Sequence, residues 1–361
     1  MIGNVMGRAV IFHGPNCPLE IARFPRPTAV GAEILVRVAC CTLCKSDLHT
    51  HAGRRTQPLP TVLGHEIVGR IEAFGPRAQR RDFRGVALAI GARISWTLTA
   101  SCGTCFFCKE ALPQKCETLF KYGHERMGPE QPFVGGLADW VVLREGTACF
   151  HVPDAVPDEV AACANCATAT VAGMLRAAGG VADRNVLILG AGVLGLTASA
   201  MACAAGASAV LVCDPDPVCR ERARAFGATA AYSPDELAAG IAAATGGRGV
   251  GVVLELAGVA SAVEAGLTLA RIGGTILLAG TVLPTPAVPL DPEQLVRRML
   301  TIRGMHNYAP QDLAAALDFL AGPGRAFPFE TLVGQTFSLD KIEQAFEHAH
   351  GTPGFRVAVR P

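Results

Sequence analysis

From Val186 to Cys213 the chain carries no charged side chain, and the run ends abruptly at Asp214. An apolar stretch of that length could span a bilayer, but small residues dominate it and Gly190, Gly192, Gly195 and Gly206 interrupt it. A buried strand, a small-residue helix and a second buried strand account for the same composition without a membrane. Inside it, Gly190-Ala191-Gly192-Val193-Leu194-Gly195 spells G-x-G-x-x-G, and Asp214 follows about 20 residues on. Each position has a job in a dinucleotide fold. Gly190 makes a tight turn, Gly192 lets backbone approach a pyrophosphate, and Val193 and Leu194 open the helix. Gly195 packs helix on strand, and Asp214 receives the adenosine ribose. A carboxylate there repels a 2′-phosphate, and Pro215, Asp216 and Pro217 add no cation, so NAD is expected over NADP. Arg220 is the nearby cation that works the other way.

The surrounding chain supplies the rest of such a domain. Apolar strand patterns at Val186–Gly190, Ala209–Asp214, Gly251–Leu256 and Thr275–Gly280 alternate with helical ones. That alternation calls for a parallel sheet with crossover helices, an α/β class. The first 150 or so residues read differently. Strand patterns at 8–12, 33–40, 67–74, 91–96 and 135–142 sit between long loops, which suggests a small barrel or sandwich. Pro157-Asp158-Glu159 then opens an Ala-rich helix, and helices are expected at 293–299 and 311–320. The last strand pattern, Phe355–Val359, has its partner in the first domain.

Chemistry concentrates in two places. Cys44-Lys45-Ser46-Asp47-Leu48-His49 and Gly64-His65-Glu66 bring a thiolate and an imidazole together across a Pro-containing loop, most of an open catalytic Zn²⁺ site. Asp47 and Glu66 are carboxylates placed to orient ligands, Ser46 offers a hydroxyl and His49 a proton carrier. Cys102, Cys105, Cys108 and Cys116 form a second set, C-x2-C-x2-C-x7-C, which can close a tetrahedron as a structural site; zinc is favoured over an iron–sulfur cluster. The chain has 14 cysteines and no secretory pattern, so metal ligands and buried thiols are expected rather than disulfides, in a cytoplasmic enzyme. Net charge is +1 and no Lys/Arg block stands out, which argues against nucleic acid and acidic membrane as partners.

Taken in order, Cys44…Gly64-His65-Glu66, the four-cysteine loop and Gly190–Gly195 with Asp214 resemble the zinc-dependent alcohol dehydrogenases of the medium-chain dehydrogenase/reductase superfamily, over essentially the whole length. The resemblance implies a GroES-like β-barrel catalytic domain at 1–160 and 310–361, and a Rossmann NAD-binding domain at 161–309. It places the active site in the cleft between them, in a homodimer or homotetramer. It further implies Cys166, in Ala164-Asn165-Cys166-Ala167-Thr168-Ala169-Thr170, as the third catalytic zinc ligand. Cys163 competes with it on chemistry alone. Thr170 is implied beside the nicotinamide, and Lys45 and Arg356 on the cofactor phosphates. Arg356 also admits a plainer reading as an exposed strand residue.

These parts describe hydride transfer between NAD(H) and a small alcohol, aldehyde or ketone. Zinc lowers the alcohol pKa, and Ser46 passes the proton through a cofactor ribose hydroxyl to His49. Two other readings are a zinc deaminase-type hydrolase and a non-catalytic relative. Deaminases separate His and Glu by one residue and draw both cysteines from one C-x-x-C, unlike His65-Glu66 here. Segments around Cys116, His124 and His306 resemble a bacterial subgroup associated with phosphonate catabolism. Lys121, His124, Arg126 and His306 could then hold an anionic group; the alternative is an apolar pocket of Trp96, Leu98 and Phe133.

Overall fold

The computed structural model describes residues 5–352 and 354–361, so Pro353 and the first four residues lie outside it. The chain divides into two compact units: Met1–Cys166 with Ala309–Leu317 and Glu330–Pro361, and Ala167–Tyr308 with Asp318–Phe329. The boundary thus falls six residues later than the expected 160/161, just after Cys166. The segment Asp318–Phe329, expected with the catalytic domain, belongs to the second unit.

The first unit is built on a seven-stranded sheet. Its long strand, Ile34–Leu43, is almost wholly buried because nearly every residue is aliphatic, Cys or Thr. It pairs antiparallel with Glu66–Phe74 on one side and Arg356–Arg360 on the other, and Trp140–Leu143 also pairs with it. Two registers matter for the site. Thr42 lies opposite Glu66, and Val357 opposite Leu43, so Arg356 arrives beside Cys44. The expected strand at 135–142 is shorter, Trp140–Leu143, because Gly135 and Gly136 press backbone against Val62 and Ile67, where a side chain has no room.

The second unit holds a six-stranded sheet. Its strand order is Ala230–Tyr232, Ala209–Cys213, Asn185–Leu189, Val250–Glu255, Ala270–Leu278, Thr301–Gly304, and every neighbouring pair is parallel. Chain order reverses beside Asn185–Leu189, the switch point at which such sheets bind ligands. The uncharged run is strand Asn185–Leu189, helix Val193–Ala204 and strand Ala209–Cys213. Among the described residues one helix, Asp158–Ala177, is long and apolar enough to cross a membrane, and 78% of its apolar window is buried inside the protein. Its middle, Ala164–Thr168, is a π-helical turn, a feature often retained where a helix presents a functional residue. Cys166 sits on it.

Candidate metal centres and dinucleotide site

Cys44 ends the long strand as N-cap of the short helix Lys45–His51, and His65 lies on the loop before strand Glu66–Phe74. Together with Glu66 and Cys166 they place one donor atom each within 4.8 Å of one another. Tetrahedral donors about 2.3 Å from an ion sit roughly 3.8 Å apart, so the set suits zinc. Asp47 organises it. One carboxylate oxygen accepts the Cys44 backbone N–H at 2.9 Å; the other accepts from Gly64 N and His65 Nδ1, both at 3.2 Å. With its Nδ1 proton given to Asp47, His65 presents the Nε2 lone pair. Burial works against a charged His65, but the Asp47 carboxylate and the Cys44 thiol raise its pKa to about 10. Surroundings that negative call for a cation, and metal binding displaces the proton. The Cys44 thiol is pulled well down by a hydrogen bond from Cys166, against burial and with help from Arg356 and His65; Cys166 moves up in turn. Gly64 makes the loop possible: its φ is +88°, and a Cβ would lie 2.6 Å from Cys41 Sγ.

Glu66 is close but already engaged. Arg356 donates to both its oxygens at 2.8 Å, through Nε and Nη2, and Thr42 Oγ1 donates to Oε2 at 2.6 Å. Arg356 Nη2 also lies 3.3 Å from Cys44 Sγ. Burial still raises the Glu66 pKa, while Arg356 opposes the shift. Arg356 is 4% exposed, so its reading as a solvent-facing residue is corrected, and its guanidinium holds the Glu66 carboxylate. The topology explains this, since the antiparallel pairing of Val357 with Leu43 carries Arg356 inward. With Glu66 held by Arg356 and Thr42, Cys44, His65 and Cys166 remain as the three donors for a metal. Cys163, the rival thiol, turns instead to Glu159 O at 3.5 Å and Thr42 Oγ1 at 3.6 Å, and burial raises its pKa.

Ser46 Oγ lies 3.4 Å from His65 Nε2, beside the donor set. His49 is one helical turn further, part-buried, with its pKa lowered by burial and by Lys45 and Arg54. Lys45 is exposed. Thr170 is part-buried on helix Ala169–Ala177 of the second unit.

The segment around Lys121 abuts His65. The His65 and His124 rings are 5.1 Å apart, and a Cβ on Gly123 would lie 2.6 Å from Gly64 O. His124 Nδ1 is 2.9 Å from Tyr122 O and therefore carries the proton; burial first, then Lys121, His65 and Arg55, hold the ring neutral. That leaves Nε2 as the acceptor nitrogen of the ring. Arg126 is exposed with Nε on Leu59 O, and His306 is an exposed residue of the second unit. The apolar alternative is also revised: Trp96 and Phe133 are core side chains, 0% and 3% exposed, Trp96 packed edge-on to Tyr122 and Phe133 to Phe24 and Trp140. Arg55, close enough to act on both His124 and Lys121, was missed; the Arg54-Arg55 pair just after a His-bearing helix was its only signal.

Cys102, Cys105, Cys108 and Cys116 bring their sulfurs within 4.8 Å of one another in an exposed loop. Cys102 Sγ accepts N–H bonds from Thr104 and Cys105, and its pKa falls to about 5, first through the Thr104 N–H. Cys116 Sγ accepts the Cys102 N–H at 3.2 Å. Backbone donors aimed at sulfur stabilise thiolates, which is what a closed four-cysteine metal site requires. All 14 cysteines are free of disulfides.

In the second unit Gly190 has φ +99°, and a Cβ on Gly195 would stand 1.8 Å from Gly190 O, so strand and helix pack as only glycine allows. Gly192, N-cap of helix Val193–Ala204, has nothing within 4 Å of a built Cβ. That open cradle at a helix N-terminus fits a pyrophosphate. Asp214 closes it, accepting Ala191 N at 2.7 Å and Asp216 N at 2.9 Å. Arg220 Nη1 caps the Asp214 and Pro215 carbonyls, each at 2.8 Å.

Known proteins match this arrangement. A family model described as alcohol dehydrogenase GroES-like domain covers residues 31–154, and one described as zinc-binding dehydrogenase covers 193–322. The chain is 31% identical to 5-exo-hydroxycamphor dehydrogenase of Pseudomonas putida over 330 residues, 89% of each protein. An alcohol dehydrogenase of Thermotoga maritima superposes with a TM-score of 0.92 at 28% identity, covering 99% of this chain and 100% of that one. A zinc-binding dehydrogenase of Sinorhizobium meliloti bound to NADP gives 0.86 at 26% identity, with 99% and 100% covered.

Proposed function

The chain belongs to the zinc-dependent alcohol dehydrogenases of the medium-chain dehydrogenase/reductase superfamily, and from there we propose which residues do the work: Cys44, His65 and Cys166 hold one zinc ion, and Cys102, Cys105, Cys108 and Cys116 hold a second. The reaction is hydride transfer between NAD(P) and a small alcohol. The observation that carries the assignment is the cluster of Cys44, His65 and Cys166 donor atoms around an Asp47-oriented His65. When bound, zinc supplies Lewis-acid polarisation of the substrate oxygen, and the nicotinamide takes or gives the hydride. The chain's own residues handle position and protons. Asp47 locks the His65 tautomer, and Arg356 with Thr42 neutralises Glu66 beside the thiolates. Ser46 Oγ receives the proton released by the alcohol, and His49, on the same face of its helix, delivers it to solvent. Lys45 serves the cofactor phosphates and Thr170 the nicotinamide.

His49 must be neutral to accept a proton. Its lowered pKa puts that condition below the usual 6.5, so alcohol oxidation should rise with pH through a midpoint under that value and then level. In His49→Gln the acid limb should vanish and kcat fall by about 10-fold or more. An unchanged limb would assign the proton path to another group.

The function is tested by a screen of alcohols and aldehydes on purified, zinc-loaded enzyme, following nicotinamide absorbance with both cofactors. NAD⁺ should be preferred by about 10-fold or more, since Asp214 repels a 2′-phosphate. Asp214→Ala should bring the ratio of kcat/KM values toward unity. A wild-type preference for NADP⁺ would mean that Arg220 dominates. We infer a cytoplasmic homodimer or homotetramer. The open edge strand Thr301–Gly304 and exposed Val282, Leu290, Val296 and Met299 on the same unit support self-association.

A further inference from the structure

Beside the Cys44, His65 and Cys166 set, the first unit gathers positive charge that its own carboxylates leave uncompensated. Lys121 is part-buried on a two-residue strand paired antiparallel with Thr99–Ala100, and its segment packs on the His65 loop through Gly123 and His124. Arg55 follows the Cys44 helix, its backbone N–H bonded to His49 O at 3.2 Å. Among the described residues, neither the ammonium nor the guanidinium has a hydrogen bond or ion pair. Glu125 is the carboxylate of that segment, and one of its oxygens takes the Lys121 backbone N–H at 2.9 Å. Burial and the neighbouring Arg55 together push the Lys121 pKa down to about 8, the cost of holding two like charges in a poorly solvated place.

A part-buried cation with no partner is unfavourable unless something else balances it. Two nearby carboxylates are already held, Glu66 by Arg356 and Asp47 by His65. We propose that Lys121 and Arg55 form a subsite for an oxyanionic group, so that the preferred substrate is a small alcohol or aldehyde carrying a carboxylate or phosphonate. This rests on the Cys44, His65 and Cys166 set being the reacting centre, since an anion held at Lys121 then leaves the carbinol end of a short molecule at the metal.

Two readouts test it. Isothermal titration of the zinc-loaded enzyme with methylphosphonate, and separately with acetate, measures the subsite without turnover. Binding should weaken by about 10- to 100-fold in Lys121→Gln and in Arg55→Gln, as expected for charge-assisted hydrogen bonds. It should also weaken with added salt. Tighter binding of one anion than the other identifies the group. Kinetics then compare 2-hydroxyethylphosphonate and 3-hydroxypropanoate with 1-propanol. The wild type should favour an anionic alcohol, and the ratio of kcat/KM values should fall by the same factor in each variant. No measurable binding of either anion, or equal binding by wild type and both variants, would overturn the subsite while leaving turnover of 1-propanol untouched. Variant-sensitive anion binding with no turnover of any alcohol would keep the subsite and defeat the assigned reaction.

Discussion

Cys44→Ser should lower kcat/KM by more than about 1,000-fold and remove one of two equivalents of tightly bound zinc. A serine hydroxyl is not ionised at neutral pH, so the donor set drops from two thiolates and an imidazole to one thiolate and an imidazole. The several kcal/mol that a bound metal contributes to the developing oxyanion are lost with it, and each 1.36 kcal/mol is about tenfold in rate. The fold should survive, because the strand behind Cys44 is held by pairing along its length with Glu66–Phe74 and Arg356–Arg360. Cys116→Ser makes the opposite expectation. The loop it closes has exposed or part-exposed neighbours, including Phe106 at 64%, and little core of its own. Its order should depend on the second ion, so thermal stability should fall while the first zinc stays. Elemental analysis, activity and a thermal melt on the three proteins decide it. One zinc or fewer in the wild type, iron in its place, or a Cys44→Ser enzyme keeping a tenth of its activity would defeat the assignment.

What could be read from the sequence was what is local. The Gly190–Gly195 turn, its helix and Asp214 form one continuous segment, and the structure bonds Asp214 to Ala191 within it. The four-cysteine loop is equally local. Cys44, Asp47 and His65 lie near enough in sequence for a single loop to join them. Cys166 is another matter: it entered through family resemblance, and the π-helical turn that presents it leaves no signal in Ala164-Asn165-Cys166-Ala167-Thr168. The strand register that sets Thr42 opposite Glu66 and brings Arg356 to Cys44 depends on pairing between distant segments, which hydrophobic pattern alone does not specify. Arg55 and Lys121 were harder still. Arg55 follows the Cys44 helix, and the Lys121 segment reaches the His65 loop through Gly123 and His124, packing that no local pattern announces.

Arg356 shows most clearly what that register adds, and Arg356→Met should destabilise the protein by about 3–5 kcal/mol. Its side chain is 5% exposed and that of Glu66 0%, and their two 2.8 Å bonds form a buried bidentate pair. Removing the cation leaves a buried carboxylate beside Cys44 with Thr42 as its remaining side-chain donor among the described residues, a larger penalty than the net worth of the pair. Neutralising the other member should therefore recover much of the loss. Glu66→Gln in the Arg356→Met background keeps an acceptor for Thr42 and abolishes the stranded charge, so the double variant should be more stable than Arg356→Met alone. Urea titrations give the midpoints and the coupling between the two positions. The same variants separate the two roles considered for this arginine. A residue that only held cofactor phosphate would raise KM for NAD⁺ and leave the urea midpoint where it was. A partner of Glu66 moves the midpoint in the absence of any cofactor, and is rescued by a change at Glu66 that no phosphate could sense. An unshifted midpoint, or a double variant no more stable than the single one, would return Arg356 to the cofactor.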